Sequence, residues 1–212
     1  NTWGTPLFFK PFYHGIDISI QSATKYIVGH SDAMLGVIIT NKKYEKCIRE
    51  SAHNMGSCPG PEDIYLGIRG IKTLSIRLER HQKNALKIIE WLKTRKEIDK
   101  ILYPAIPENS GYKIWNRDFL GASGLFGVTL KKTKKSLIHQ MLNKLQLFNM
   151  GYSWGGYESL ILPVNPEKYR DTYQWKKEGG TLRIHAGLEN ADDLINDLKE
   201  NLGKNFAYKL AV

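Results

Sequence analysis

The chain has 212 residues, of which 42% are hydrophobic and 25% charged, and its formal net charge is +10. This length and composition are typical of a globular protein with a sizeable core and exclude a disordered one. The positive charge attracts anions, but the lysines are scattered and no RNA-reading or helix-turn-helix motif occurs, so we do not expect nucleic acid as a partner.

The sequence also argues against a membrane or secreted protein. No apolar run has the length of a membrane span, and no signal-peptide pattern occurs at the start. The two cysteines, Cys47 and Cys58, form neither a disulfide framework nor a metal-ligand pattern. We therefore expect a soluble cytoplasmic protein without a metal site.

The first third of the chain predicts two strands followed by a helix. Isoleucines alternate with polar residues over 16–20, which indicates a half-buried strand. The β-branched run at 37–39 predicts a second strand, buried on both faces. A helix is expected over 40–56.

A longer helical segment follows a proline. Pro61 precedes two acidic residues, which is typical of a helix start. Apolar residues then recur at three- and four-residue steps from Ile64 to Leu92. Their sevenfold spacing ends too soon for a coiled coil, so we predict core-facing helices, a short and a long one divided at Gly67 and Gly70.

The remainder of the chain alternates between strands and helices, which indicates an α/β or α+β second domain beginning near Gly70. The closing helix has Asn190 as its expected N-cap. The predicted elements are strands within 98–107, 124–132 and 181–189 and helices within 136–148 and 190–203.

Lys25 is the first residue with a possible chemical role. It directly follows the first predicted strand, and the hydroxyl residues Ser22 and Thr24 precede it. A lysine that attacks a carbonyl must be partly desolvated, so that its amine is neutral often enough. The hydroxyls could bind a phosphate, which pyridoxal phosphate requires beside the amine. A solvated lysine is the alternative.

Two later segments could bind a substrate. In "TLRIHAGLE", Arg183 and His185 share one face of the predicted strand, and a guanidinium there can hold a carboxylate through two hydrogen bonds. In "MGYSWGGYESL", two glycines allow close approach of the backbone to a ligand, and Tyr152, Ser153 and Trp154 offer polar and aromatic surface. A surface arginine and a tight turn are the alternatives.

These three regions resemble one enzyme family. The segment "NTWGTPLFFKPFYHGIDISIQSATKYIVGHSDAMLG" is similar to the cofactor-lysine region of the Cys/Met-metabolism family of pyridoxal-phosphate enzymes. The segments "GYSWGGYESLILP" and "TLRIHAGLENADDLI" are similar to that family's substrate-binding segments. The resemblance runs over nearly the whole chain.

The resemblance implies a fold, a cofactor and an assembly. Residues 1–70 would be the end of the large domain of a fold-type I PLP-dependent transferase, and residues 71–212 would be its α+β C-terminal domain. The cofactor would be pyridoxal 5'-phosphate, the substrate a sulfur amino acid, and the protein a homotetramer built as a dimer of dimers.

The resemblance also implies roles for the residues named above. Lys25 would form the Schiff base and act as the catalytic base, while Ser22 and Thr24 would bind the cofactor phosphate. The substrate site would consist of Tyr152, Ser153, Trp154 and Arg183. The resemblance associates the tryptophan with members that cleave the carbon–sulfur bond by β-elimination, whereas γ-acting members usually carry a smaller aliphatic residue there. His30 and His185 are expected to be structural.

The family carries further catalytic residues ahead of the segment at which this chain begins. They include an aspartate for the pyridine nitrogen, a tyrosine that stacks on the ring and a glycine-rich phosphate loop. We therefore expect Asn1–Val212 to be the C-terminal portion of a longer enzyme, with the N-terminal half as its partner. A γ-acting relative, a catalytically silent fragment and, more weakly, a nucleic-acid binder are the alternatives.

Overall fold

The computed structural model of the chain describes residues 1–169 and 179–206. Within these ranges the α-helices are α1 (Thr5–Phe8), α2 (Lys42–Asn54), α3 (Pro61–Ile71), α4 (Leu74–Lys93), α5 (Tyr112–Asp118), α6 (Lys135–Leu142) and α7 (Ala191–Phe206), and the strands are β1 (Ile18–Ser22), β2 (Gly36–Thr40), β3 (Ile98–Leu102), β4 (Leu125–Leu130), β5 (Leu160–Val164) and β6 (Thr181–His185). None of these helices is both long and apolar enough to cross a membrane.

The two predicted N-terminal strands are confirmed, but their burial is not. β1 and β2 pair antiparallel, with Ile20 opposite Ile38. The buried residues of β1 are Ser19 and Gln21, whereas Ile20 is 64% exposed, and β2 contains no buried residue. The predicted apolar buried face is therefore wrong: the polar face of β1 is the buried one, and Ser19 and Gln21 line a cavity together with residues of the segment 6–13.

The long helical segment divides as two helices, but not at the glycines. α3 ends at Ile71 and α4 begins at Leu74, so Gly67 and Gly70 both lie inside α3. A Cβ at Gly70 would lie 2.3 Å from the carbonyl oxygen of Ile27. The glycines therefore allow α3 to contact the segment that follows β1, and the prediction that they break the helix is wrong.

Only α4 is the core-facing helix that the apolar spacing predicts. Leu78 and Leu92 on α4 are almost completely buried. On α3, Ile64, Ile68 and Ile71 are 41%, 55% and 50% exposed. The periodic apolar stripe thus covers the core along α4 and remains largely open along α3.

The second half of the chain forms an antiparallel sheet of order β3-β4-β6-β5. The main hydrophobic core joins this sheet to α4 and α7, and Phe126 and Ile184 lie opposite each other within it. The predicted N-cap of α7 is confirmed, because Asn190 Oδ1 accepts a hydrogen bond from Asp192 N at 2.8 Å. The sequence analysis did not predict α5 or β5, and α6 ends earlier than expected, at Leu142.

Candidate active site

Lys25 lies in a tight turn that follows β1. Its carbonyl oxygen accepts a hydrogen bond from Gly29 N at 2.8 Å, and Val28 N donates to Ala23 O at 2.8 Å. The next residue, Tyr26, is completely surrounded by protein and packs in a small core cluster with Leu74 and Leu78 of α4. Burial of Tyr26 fixes the backbone, whereas the Lys25 side chain is only half-buried.

A buried arginine supports the turn from below. Arg77 of α4 is only 6% exposed. Its Nη1 donates to Tyr26 O at 2.7 Å, and its Nη2 donates to Gly70 O at 2.7 Å and to Ile27 O at 3.2 Å. The guanidinium thus provides the donors for the buried carbonyls of Tyr26 and Ile27, whereas Gly70 O also accepts a hydrogen bond from Thr73 N at 3.1 Å. The sequence analysis missed this residue, although a charged residue in the apolar stripe of α4 was a visible signal.

The turn at 150–156 approaches Lys25 from the other side. Lys25 Nζ donates to Ser153 Oγ at 2.8 Å and lies 5.6 Å from the centre of the Trp154 ring. Gly155 has φ +84°, and a Cβ there would lie 3.0 Å from the carbonyl carbon of Lys25. The fold therefore brings together the lysine and the Ser-Trp segment, which are 128 residues apart in the chain.

Arg183 projects from the central strand β6 toward the same turn. Its Nη2 donates to the carbonyl oxygens of Gly151, Tyr152 and Ser153. Within the described part of the chain, its Nε and Nη1 have no hydrogen-bond partner, so the guanidinium retains donors for a carboxylate. Burial and the positive charge of Arg183 both lower the pKa of Lys25, with burial the larger cause.

The other predicted site residues make fewer contacts with the residues around Lys25. Ser22 Oγ has no hydrogen-bond partner among residues 1–169 and 179–206, whereas Thr24 Oγ1 accepts a bond from Leu35 N at 2.9 Å and donates to Leu35 O at 3.3 Å. Tyr152 is 86% exposed, and its carbonyl oxygen accepts a hydrogen bond from Arg183. The roles of these residues in binding stay predictions.

Two buried histidines lie behind the site and were not given a part in it by the sequence analysis. His185 is 1% exposed and His81 is completely buried, with ring centres 5.0 Å apart. Both rings contact Tyr26, which also packs edge-on against Trp154. Burial lowers the pKa of His185 to about 3 and that of His81 to about 4.

The described residues contain no group of three or more His, Cys, Asp or Glu side chains that could hold a metal ion. His30, which the sequence analysis considered, is exposed, and its Nδ1 lies 2.7 Å from Val28 O. Cys47 and Cys58 are both exposed free thiols.

Comparison with known proteins finds relatives that are similar in sequence and in structure. A cystathionine beta-lyase of Escherichia coli is 44% identical over 93% of this chain and 51% of its own length. An L-alanine/L-glutamate racemase of Wolbachia pipientis is 38% identical over 96% of this chain and 51% of its own. A crystal structure of cystathionine gamma synthase from Xanthomonas oryzae pv. oryzae superimposes with a TM-score of 0.87 at 29% identity, over 98% of this chain and 55% of that one.

Two facts follow from these similarities. The chain spans about half the length of the curated relatives it matches, and the similar proteins include β-acting and γ-acting enzymes of cystathionine as well as a racemase. The fold agrees with the expected class, an α/β portion of a PLP-dependent enzyme followed by an α+β region. The sequence profile that matches residues 1–203 is that of the Cys/Met metabolism PLP-dependent enzymes, and the chain belongs to this family.

Proposed function

We propose that this chain supplies the catalytic lysine and the substrate-binding arginine of a cystathionine β-lyase, which cleaves cystathionine to homocysteine, pyruvate and ammonia. The observation that carries the proposal is the convergence of Lys25, Ser153, Trp154 and Arg183 from separate segments. The similarity to a cystathionine beta-lyase at 44% identity supports the substrate.

The residues of the site fit the family's cofactor. Lys25 is partly desolvated and lies near a second positive charge, so a larger fraction of its amine is neutral than for an ordinary lysine. Ser22 has a free hydroxyl at the end of β1, which suits a phosphate oxygen. In this proposal Lys25 holds the cofactor covalently, and Ser22 and Thr24 hold its phosphate. Bound pyridoxal phosphate supplies a conjugated ring that accepts the electron pair left on the substrate Cα.

The chain's own part in the reaction is to move one proton and to hold one carboxylate. The substrate first displaces Lys25 from the cofactor. The neutral amine of Lys25 then removes the Cα proton, and the Cβ–S bond breaks. The same amine returns the proton to the departing sulfur. The three-carbon remainder takes up water and yields pyruvate and ammonia. Ser153 Oγ, 2.8 Å from Lys25 Nζ, keeps the amine in position during both transfers.

Arg183 binds the substrate α-carboxylate through its free donors in this scheme. Three carbonyls of the turn already fix the direction of its Nη2, so little freedom is lost when the substrate binds. Tyr152 and Trp154 would shape the pocket. Trp154 is the reason for preferring β- over γ-cleavage, and a γ-acting enzyme remains the second candidate because a cystathionine gamma synthase superimposes well on this chain.

The proposal includes protein partners and a location. The relatives are about twice as long, so the complete enzyme contains a second half that supplies the rest of the cofactor site, and it assembles as a tetramer of two dimers. The exposed isoleucines of β1, β2 and α3 support such contacts, since exposed apolar clusters often mark interfaces. We place the boundary between the two domains near Gly70 and the enzyme in the cytoplasm, where exposed free thiols persist.

Product analysis tests this function in the holoenzyme, meaning the cofactor-loaded protein that contains this chain and its other half. Incubation with cystathionine should yield homocysteine and pyruvate in equal amounts, and borohydride should attach the cofactor irreversibly to Lys25, as located by peptide mass spectrometry. Lys25→Ala should lower kcat by at least about a hundredfold, since proton transfer by a positioned base contributes that much. Lys96→Ala, at an exposed lysine, is the control.

Each alternative has its own result. Cysteine with 2-oxobutyrate would identify a γ-acting enzyme, and exchange of the Cα hydrogen of alanine without carbon–sulfur cleavage would identify a racemase. A protein that takes up no pyridoxal phosphate would be catalytically silent. Steeply salt-dependent binding of DNA or RNA would support the nucleic-acid alternative.

A further inference from the structure

The turn that carries Ser153 and Trp154 contacts a buried histidine. Gly155 N donates a hydrogen bond to His185 Nε2 at 3.1 Å. The same glycine touches the backbone of Lys25, because a Cβ there would lie 3.0 Å from the carbonyl carbon of Lys25 and from Tyr26 N. A shift of Gly155 would therefore move Ser153 relative to Lys25.

The hydrogen bond defines the protonation of His185. A backbone N–H donates only to a ring nitrogen that lacks a proton, so Nε2 carries the lone pair and the neutral ring carries its proton on Nδ1. Nε2 also lies 3.2 Å from Gly156 O. A proton on Nε2 would favour that carbonyl and remove the bond to Gly155. Burial is the largest of the effects that lower the pKa of His185 to about 3, so the ring stays neutral.

His81 is a second buried histidine, next to His185. Its Nδ1 lies 2.8 Å from Ala186 O and therefore carries the proton, which leaves Nε2 as an acceptor. Among the described residues, the buried atoms His81 Nε2 and His185 Nδ1 are both without a partner. One is an acceptor and the other a donor, on rings whose centres are 5.0 Å apart, but they do not form a hydrogen bond with each other. The tautomer of His185 is therefore assigned from the Gly155 contact alone.

We infer that His185 is a positioning residue of the proposed active site, which holds Gly155 and thereby keeps Ser153 Oγ at Lys25 Nζ. The effect of this contact on catalysis rests on the proposed function, whereas the contact itself requires neither cofactor nor substrate. Arg183 contacts the same turn through its Nη2, but its backbone belongs to the central strand β6, and the donors assigned to the carboxylate, Nε and Nη1, do not contact the turn. Loss of the acceptor at His185 should therefore affect proton transfer by Lys25 more than carboxylate binding.

Hydrogen exchange on the 212-residue chain tests the contact. His185→Gln places an amide oxygen near the position of Nε2, whereas His185→Leu retains similar bulk and removes the acceptor. We expect the Gly155 amide to exchange at least about tenfold faster in His185→Leu, with near-normal exchange in His185→Gln and in the control His53→Leu, at an exposed position on α2. Equal protection in the Leu and Gln variants would overturn the inference.

Amides of β4 report whether each variant is still folded. If neither variant folds, the ¹⁵N spectrum of selectively labelled histidine in the unsubstituted chain decides the question. A neutral His185 protonated on Nδ1 supports the inference, and one protonated on Nε2 contradicts it.

Kinetics of the holoenzyme test the consequence. His185→Leu should lower kcat on the order of tenfold to a hundredfold, because small misplacements of a catalytic group cost that much, and KM should change far less. His185→Gln should restore most of kcat. A raised KM with unchanged kcat would show that His185 acts on substrate binding instead. A holoenzyme without carbon–sulfur lyase activity would refute the proposed function and leave the exchange and tautomer results intact.

Discussion

The four-stranded sheet and the β1–β2 pair differ in how they are stabilised. The sheet β3-β4-β6-β5 packs with α4 and α7 around a large apolar core. The β1–β2 region has little core of its own: β2 and α2 contain no buried residue, and the buried residues of α3 are Gly67 and Gly70. Lys25 belongs to this second region. Lys25 is therefore ordered by contacts with α4 and the turn at 150–156, and less by the burial of its own strand.

The largest expected effect is in the main core. Ile184 is 1% exposed at the centre of β6, opposite Phe126 of β4 and Ile161 of β5. Ile184→Ala should lower the free energy of unfolding by about 2–5 kcal/mol, because it removes buried methyl groups and leaves a cavity. Urea denaturation followed by circular dichroism measures the loss. Ile38→Ala on β2 is the matched control, and an equal loss there would contradict the difference between the two regions.

The next largest effect should come from the buried arginine that joins α4 to the lysine turn. Arg77→Leu removes the donors to Tyr26 O, Ile27 O and Gly70 O. We expect a loss of about 2–4 kcal/mol in the free energy of unfolding, since the buried carbonyls of Tyr26 and Ile27 lose their donor. Arg80→Leu, at an exposed position on the same helix, should cost less than about 1 kcal/mol.

A smaller loss in Arg77→Leu than in Arg80→Leu would contradict the proposed support of the turn. Hydrogen exchange gives a second measure: the amides of Val28 and Gly29, which close the turn at 2.8 Å each, should lose protection in Arg77→Leu while those of β4 keep it. That pattern would place the loss in the β1–β2 region.

The sequence predicts most of the helices and strands, because their periodic patterns are local. It predicts poorly which of their faces are buried against other elements. β5 was not predicted; it contains Pro163, a residue that is disfavoured inside a sheet, but β5 lies at the edge of the sheet, where a proline is tolerated. The apolar faces of β1 and α3 follow the expected periods but stay exposed, since burial depends on partners that no period encodes.

For the candidate site, the sequence identified residues but not their arrangement. Lys25, Ser153 and Arg183 were assigned through the family resemblance, which does not give their geometry. Spacing along the chain could not place Ser153 beside Lys25, 128 residues away. Arg77 and His185 are visible in the sequence as polar residues in apolar patterns, but their contacts, with the lysine turn for Arg77 and with the turn at 150–156 for His185, follow only from the fold.

Acid should weaken the contact between the two regions at the buried histidines. The pKa values of His185 and His81 in the folded chain are about 3 and about 4, and that of an unfolded histidine is about 6.5. The unfolded state therefore binds more protons between these values, so stability is complete above pH 6.5 and falls as the pH decreases toward 4. Each histidine contributes a slope of ~1.4 kcal/mol per pH unit.

Urea titrations between pH 4 and 7 measure this slope. His185→Gln should reduce the slope by the contribution of one histidine, whereas His53→Gln, at an exposed position, should leave the slope unchanged. An identical slope in the His185→Gln and unsubstituted chains would mean that His185 has the same pKa in the folded and unfolded states, which would contradict the lowered pKa.

The smallest expected effect is on the open face of β1. Ile20 is 64% exposed and lies opposite Ile38, which is 49% exposed. Ile20→Ser should change the free energy of unfolding of the 212-residue chain by no more than about 0.5 kcal/mol, because an exposed side chain loses few contacts. In the holoenzyme the same substitution should reduce assembly, measured by light scattering, since the proposed second half would cover this face. A substitution that is equally mild in both forms would show that the isoleucines of β1 and β2 remain open to solvent in the complete enzyme.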